Sequence, residues 1–359
     1  MPETLRKYQL EDLFVTAAEQ GASDLHLTVG RNPTLRIDGS LVPLTKREVL
    51  TPKDTEELSL ALLTEAQQER FRRDLEVDFA YNFKNKARFR VNVYRERGFV
   101  AIAMRYVPSH IRTLDELGLP ISLANLARYT QGLVIVAGPT GHGKSTTLAA
   151  IIDIINHTRS DHIITIEDPM EYVFEQDRCL INQREIHADT HSFSDALRSS
   201  LRQDPDVIMV GEMRDMETVA TALTAAETGH LIFSTLHTNS AAQTVDRVID
   251  MFPGDRQHQM RAQLASTLLG VISQRLIPRV DGGLAPAVEI MVATPAIRNL
   301  IREGKAHEID TVITTSSESG MVSLDRSIAQ LVSKGIVSLE NAESYSLSRN
   351  NLRSLLEHA

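Results

Sequence analysis

Residues 138–145 read GPTGHGKS and fit the phosphate-loop pattern G-x-x-x-x-G-K-[S/T]. In such loops backbone N–H groups surround phosphate oxygens, the lysine reaches the β- and γ-phosphates, and the final hydroxyl completes a Mg²⁺ shell. The flanks agree, because Leu133–Ala137 is a short apolar run typical of a strand and residues 146–158 have helical apolar spacing. We therefore predict a site for ATP and Mg²⁺, with Ser145 on the metal. The predicted nucleotide-binding residues are Thr140, Gly141, His142, Gly143, Lys144, Ser145 and Thr146.

Two other apolar runs end in acidic residues. Ile163–Ile166 leads into Glu167, and Val207–Val210 leads into Gly211 and Glu212, which is the Walker B pattern. Phosphoryl transfer depends on positioning and charge neutralisation, so an acid there must lie near Mg²⁺ and the attacking water. We assign Glu212 to orienting and activating that water, and Glu167 to supporting water or metal. A carboxylate can instead favour a helix N-terminus, and we assign that part to Asp215.

Histidines flank the apolar run 231–236. His237, at its carboxyl end, is placed to bind the γ-phosphate and respond to its loss. His230 follows Gly229, a residue that commonly ends helices, so it either belongs to the site or caps and packs locally. The 12 histidines show no metal-ligand spacing, and we expect only the Mg²⁺ that accompanies the nucleotide.

Two arginines are predicted to face each other in a hairpin. Residues 88–94 alternate with period two, and Arg97-Gly98 suits a two-residue turn into a strand at 99–106. The numbers of residues that face each other across the hairpin then sum to 195, which places Arg90 opposite Arg105. Such a pair of like charges is destabilising unless an anion lies between them. The alternative is a solvated basic face with Asp78 or Glu96 nearby.

A parallel sheet is needed to bring these groups together. Strands are predicted at 133–137, 162–167, 207–210 and 231–236, separated by helical stretches, and ligands bind at the carboxyl ends of such strands. Beyond about Val245 we expect mainly helix, with one helix capped by Thr294 and ended by Gly304. Upstream we expect helices at 5–19 and 52–74 and strands at 24–29 and 34–39. The predicted domains are 1–107 and 131–359, joined by a linker at 108–130.

Composition restricts the function classes. The 359 residues are 42% hydrophobic and 24% charged, with a net charge of −9, which argues against a broad basic face for nucleic acid. Cys179 is the single cysteine, so the chain has neither an internal disulfide nor a cysteine zinc site. Without a signal peptide or a membrane-length apolar run, we expect a cytoplasmic protein that reaches the inner face of the membrane only through a partner.

Six segments together resemble the secretion-ATPase superfamily, with its Walker A, Asp-box, atypical Walker B and His-box motifs. They are ASDLH at 22–26, RFRVN at 88–92, residues 138–147, ITIEDP at 164–169, GEMRD at 211–215 and residues 229–238. The octet AIRNLIRE at 296–303 resembles the C-terminal signature of the retraction ATPases of type IV pili. We expect Ile297 and Leu300 within it to serve retraction rather than hydrolysis.

The resemblance implies an α/β fold, with a PAS-like N-terminal domain followed by a RecA-like parallel-sheet P-loop ATPase domain and C-terminal helices. It implies a homo-hexamer that binds ATP between the domains, with Arg90 and Arg105 on the phosphates. Glu212 is then the catalytic carboxylate, Glu167 the Asp-box acid, and His230 and His237 the His-box pair. The implied activity is ATP-driven pilin depolymerisation and twitching motility, with an inner-membrane pilus platform protein and an accessory retraction ATPase as partners.

The sequence departs from the superfamily at His142, where serine is usual, and in the tail after Ser338. One alternative is a pilus assembly or type II secretion ATPase, which usually carries a four-cysteine zinc motif that is absent here. Others are an accessory retraction paralogue, a RecA-like nucleic-acid translocase and a non-hydrolysing regulatory ring. The acidic balance opposes nucleic acid as a partner, and the acid at 212 opposes a non-hydrolysing ring.

Overall fold

A computed structural model describes residues 10–37, 39–83, 87–107 and 111–357. The chain divides into two units, Met1–His110 with Glu171–Val173, and Ile111–Met170 with Phe174–Ala359. Residues 111–130, from the predicted linker, therefore belong to the second unit. Residues 5–9 of the first predicted helix and 108–110 of the linker lie outside the described residues.

The described residues of the first unit form a six-stranded antiparallel sheet with helices. The strand order is β3-β2-β1-β6-β5-β4. Phe89, Val91 and Val93 lie on its buried side, and Phe14 stacks on Phe89 with ring centroids 4.6 Å apart. The elements are α1 (Leu10–Glu19), β1 (Asp24–Leu27), β2 (Thr34–Ile37), β3 (Ser40–Pro43), α2 (Pro52–Leu62), α3 (Glu65–Asp74), β4 (Glu76–Phe83), β5 (Ala87–Glu96) and β6 (Phe99–Val107).

The hairpin of β5 and β6 has the predicted register. Glu96 pairs with Phe99 and Arg90 pairs with Arg105. Arg97 and Gly98 both have positive φ, 52° and 85°, as a two-residue turn that follows the twist of the strands requires.

The prediction of one helix over 52–74 was wrong. The chain breaks at Leu63, which is extended, and restarts at Thr64, whose side chain accepts a hydrogen bond from the Gln67 N–H. The Gln67 side chain accepts the Thr64 N–H in return. This capping box begins a second helix.

The described residues of the second unit form a seven-stranded sheet with the order β13-β12-β7-β11-β10-β8-β9, parallel except for the β12–β13 pair. Its strands are β7 (Gly132–Ala137), β8 (His162–Glu167), β9 (Leu180–Glu185), β10 (Val207–Val210), β11 (Leu231–Leu236), β12 (Leu268–Pro278) and β13 (Leu284–Val292). Its helices are α4 (Lys144–Thr158), α5 (Phe193–Ser200), α6 (Met216–Glu227), α7 (Ala241–Asp250), α8 (Gly254–Thr267), α9 (Pro295–Glu303), α10 (Ile309–Thr315), α11 (Leu324–Ser333), α12 (Leu339–Tyr345) and α13 (Arg349–Glu357), with 3₁₀ turns at Ile121–Arg128, Ala306–Glu308 and Ser317–Ser319. The four predicted parallel strands are confirmed.

The expectation of mainly helix beyond Val245 was wrong in one place. β12 and β13 form an antiparallel hairpin there, and β12 also runs parallel to β7. Leu268, Val271, Ile272 and Ile277 are all buried. A strand covered on both faces has no alternating pattern, so its apolar run resembles that of a buried helix.

Helix α9, which contains the whole octet, begins and ends where predicted. The Thr294 side chain caps its N-terminus, and Gly304 ends it at φ 70°. Ile297 and Ile301 are buried in the core of the second unit, and Leu300 is partly buried against it. Ile297 therefore packs in the core and does not itself offer a surface to a partner, and the exposed residues of α9 include Asn299, Arg302 and Glu303. The expected part of Ile297 and Leu300 in retraction stays a prediction. Among the residues that the structure describes, no helix is both long and apolar enough to cross a membrane.

Candidate nucleotide site

The phosphate loop connects β7 to α4 and depends on glycine at two points. At Gly138 (φ 146°) a Cβ would lie 2.4 Å from the backbone oxygen of Gln274, and at Gly143 (φ 78°) it would lie 2.9 Å from the Gln274 side chain. Lys144 is buried, and its Nζ donates to the carbonyls of Gly138 and Pro139, both at 2.9 Å. The loop thus closes on its own lysine at the N-terminus of α4, an arrangement that favours bound anions.

His237 connects the phosphate loop to the Walker B acid. Its Nδ1 lies 3.3 Å from Thr140 Oγ1 and 3.5 Å from Lys144 Nζ, and its Nε2 lies 3.5 Å from Glu212 Oε2. Facing an ammonium, Nδ1 acts as an acceptor, which leaves the ring proton on Nε2, the nitrogen nearer the carboxylate. The structure brings Thr140, Lys144, Glu212 and His237 together as predicted.

Glu212 is held at the carboxyl end of β10. The Gly211 N–H donates to Ile166 O, and Thr235 Oγ1 donates to Gly211 O at 2.6 Å. Arg214 Nε lies 2.6 Å from Glu212 Oε1. We did not single out Arg214 from the sequence, although it stands two positions after the acid in the same motif.

Glu167 ends the neighbouring strand β8 and is buried. Its Oε1 accepts hydrogen bonds from Thr165 Oγ1 at 2.6 Å and Gln183 Nε2 at 3.2 Å. Gln183 belongs to β9, a strand that the sequence analysis missed. Since β8 and β10 are paired in parallel, Glu167 and Glu212 lie at the same edge of the sheet.

His230 lies at the opposite end of β11 from His237, away from the phosphate loop of its own chain. It precedes β11, and its Nδ1 donates to Ala225 O at 2.9 Å near the end of α6. The strand separates it from His237 by about 20 Å. The structure thus shows the capping alternative for His230 and does not bring it to the phosphate loop of its own chain. Asp215 caps the N-terminus of α6, as predicted.

The β12–β13 hairpin also holds the loop after His237. Ser273 Oγ donates to Asn239 O at 3.0 Å, and the Ala241 N–H donates to Glu289 Oε1 at 2.7 Å. Ser273 and Glu289 are paired across the hairpin. This second support for the site comes from strands that the sequence analysis did not find.

In the first unit, a row of charged residues crosses the sheet. Arg90 pairs with Arg105, Arg105 with Asp24, and Asp24 with Arg36. Arg105 Nε donates to Asp24 Oδ1 at 2.9 Å, and Arg36 Nε lies 3.8 Å from Asp24 Oδ2. Asp24 is 9% exposed, while Arg90 and Arg105 face solvent within this unit.

In the described residues, Asp24 is thus the carboxylate that pairs with Arg105, rather than Asp78 or Glu96. The pairing of β1 with β6 spans 81 positions, so no local pattern could have indicated it. Three guanidinium groups beside one carboxylate leave the row with an excess of positive charge.

The parallel sheet, the phosphate loop after β7 and the acid after β10 define a P-loop nucleotide-binding protein. Residues 4–344 match the family described as "Type II/IV secretion system protein", and the chain belongs to that family. The resemblance inferred from the motifs is confirmed.

Within that family, the chain is similar over nearly its whole length to ATPases of type IV pili. The chain is 48% identical, over 93% of its length and 96% of the relative's, to the "Type IV pilus retractation ATPase PilT" of Pseudomonas aeruginosa. It is 40% identical, over 97% of its length and 91% of the relative's, to the "Type IV pilus ATPase PilU" of the same organism. A solved structure of the pilus retraction motor PilT with bound ADP superposes with a TM-score of 0.91 at 45% identity, covering 97% of this chain and 99% of that one.

Proposed function

We propose that this chain is a hexameric motor ATPase whose hydrolysis of ATP powers retraction of type IV pili. The observation that carries the hydrolytic part is the contact series from Lys144 through His237 to Glu212. It joins the phosphate loop to the acid that would activate water. The retraction part rests on the similarity to PilT over nearly the whole chain.

Each residue of the site has a defined part in this proposal. Lys144 and the first N–H groups of α4 bind the phosphates, and Glu212 accepts the proton of the attacking water. His237 touches both the loop and Glu212, so it senses whether the γ-phosphate is present. Glu167 supports the water or metal from the adjacent strand.

In this proposal the hydroxyl of Ser145, the second residue of α4, would bind Mg²⁺. When bound, it supplies positive charge to the phosphates as negative charge shifts onto the leaving group. The residues of the chain itself bind the phosphates, activate the water and respond to the γ-phosphate.

The charged row of the first unit adds a cationic surface. We propose that Arg90 and Arg105 bind nucleotide phosphate, because two like charges held opposite each other favour an anion. Asp24 restrains one guanidinium while Arg90 keeps its charge available. By the family resemblance, the ring works at the cytoplasmic face of the membrane, against an inner-membrane pilus platform protein and beside an accessory retraction ATPase.

Glu212→Gln tests the catalytic assignment. We expect it to bind ATP normally and to hydrolyse it at least about 100-fold more slowly, because positioning and charge stabilisation of the water are lost. Glu217→Gln is the matched control, since Glu217 is an exposed acid in the first turn of α6. Near-normal turnover of Glu212→Gln would transfer the role to Glu167.

Deletion of the gene in its host tests the direction of the motor. Loss of a retraction ATPase leaves cells with excess surface pili and no twitching motility, whereas loss of an assembly ATPase leaves cells without pili. Continued twitching would support the accessory role instead.

A further inference from the structure

Gln274 of β12 contacts the phosphate loop with both its backbone and its side chain. Its side chain is buried, its Oε1 accepts the Thr147 hydroxyl at 2.6 Å, and its Nε2 donates to His142 O at 2.9 Å. Its backbone oxygen and its amide group are also the atoms that exclude a Cβ at Gly138 and Gly143. One residue therefore contacts the start of the loop, its end and the first turn of α4.

His142 makes a second attachment to the same strand. Its Nδ1 accepts the Leu276 N–H at 2.9 Å. The last pair between β12 and β7 is Ser273 with Ala137, so Leu276 lies three residues past the end of β7. The imidazole provides an acceptor for a strand N–H at the point where β7 has turned away into the loop.

The imidazole is in the state that this contact requires. Only an unprotonated Nδ1 can accept an N–H. Burial, together with the positive charges of Lys144 and Arg275, lowers the pKa of His142 below its usual value. His142 is therefore neutral near neutral pH, with its lone pair directed at Leu276.

We propose that Gln274 is a positioning residue for the phosphate loop, and that His142 closes the same clamp from the loop side through the Leu276 N–H. The clamp holds the loop in its anion-binding shape before the nucleotide arrives, so its loss weakens nucleotide binding more than it slows the chemical step. The proposal rests on the proposed function to the extent that the loop binds a nucleotide. It also gives His142 a role for which serine is less suited, because the serine oxygen lies one bond closer to the backbone than the Nδ1 that accepts the Leu276 N–H.

His142→Ala and His142→Asn test the clamp by two readouts. The first is the affinity for MgADP measured by calorimetry, together with kcat and KM for ATP. The second is the hydrogen-exchange rate of the Leu276 amide without nucleotide. We expect His142→Ala to weaken MgADP binding and raise KM by about two- to tenfold, the range of one neutral hydrogen bond, with little change in kcat. The Leu276 amide should exchange faster.

Asparagine places an acceptor oxygen near the position of Nδ1, so His142→Asn should restore both the affinity and the protection of Leu276. His157→Ala, at the far end of α4, is the matched control and should change neither. Gln274→Met keeps the shape of the side chain but leaves the Thr147 hydroxyl and the His142 carbonyl without their partner. We expect it to weaken MgADP binding by about tenfold or more.

The proposal is overturned if His142→Ala binds MgADP as the wild type does, or if His142→Asn is as impaired as His142→Ala. If the Leu276 amide exchanges faster while affinity is unchanged, the contact exists but does not position the loop, which also overturns it. Failure of the wild type itself to bind MgADP would refute the proposed function, and the exchange experiment would still report whether the contact forms.

Discussion

Replacing Glu289 by glutamine should make the protein's stability depend less on pH. Glu289 is 3% exposed on β13 and accepts the Ala241 N–H at the start of α7. Burial, and to a smaller extent Asp310 and Asp325, raises the pKa of Glu289 from 4.5 to about 7, although the Ala241 N–H and Arg275 act in the opposite direction. The folded state therefore holds this proton more tightly than the unfolded state does.

The sign and size of the effect follow from linkage. A raised carboxyl pKa contributes stability that is fully present below about pH 4.5 and is lost as the pH rises through about 7. A rise from 4.5 to about 7 corresponds to about 3 kcal/mol. The glutamine variant keeps an oxygen for the Ala241 N–H and does not titrate. Its free energy of unfolding, relative to the wild type, should therefore increase by up to about 3 kcal/mol between about pH 5 and about pH 8.

Urea unfolding across that pH range, followed by circular dichroism, measures this difference. Glu340→Gln, at an exposed acid in the first turn of α12, is the control and should track the wild type throughout. A difference between wild type and Glu289→Gln that stays constant with pH would show that Glu289 titrates normally, and the reasoning from burial would fail.

Two further predictions address the arginine row and the octet. Asp24→Asn should slow ATP hydrolysis by about tenfold, the scale of one charge-assisted hydrogen bond, because Arg105 loses the carboxylate that orients it. Asp78→Asn is the control. An unchanged rate of hydrolysis in Asp24→Asn would show that the orientation of Arg105 does not matter for the nucleotide. Ile297→Ala should lower the free energy of unfolding, measured by urea titration, by about 2–5 kcal/mol, because the side chain is fully buried in the core. Asn299→Ala, at an exposed residue of the same helix, should change it very little. Wild-type stability of Ile297→Ala would contradict the burial of Ile297 in the core.

Local patterns were enough to predict the centre of the second unit. The phosphate loop, the apolar runs ending at Ala137 and Val210, and the capped helix after Thr294 all depend on residues close together in the sequence. The register of Arg90 with Arg105 was also predictable, because a two-residue turn determines every pair in its hairpin.

Long-range contacts were not predictable in the same way. Gln274 reaches His142 across 132 positions, and Asp24 reaches Arg105 across 81, and one sequence carries no signal for either contact. The burial of Ile297 and Ile301 was available from their four-residue spacing, but it was outweighed by the resemblance of the octet to a functional signature.

The placement of adjacent β12 residues limits where the chain can change length. Ser273 holds the loop after His237, and Gln274 holds the phosphate loop. Neighbouring residues of a strand point to opposite faces, so inserting or deleting one residue between Gly270 and Ser273, beyond the bulge that follows Leu268, would turn both side chains away from their targets. Length variation among natural homologues should therefore concentrate in residues 279–283 at the turn of the hairpin, where an added residue leaves both attachments in place.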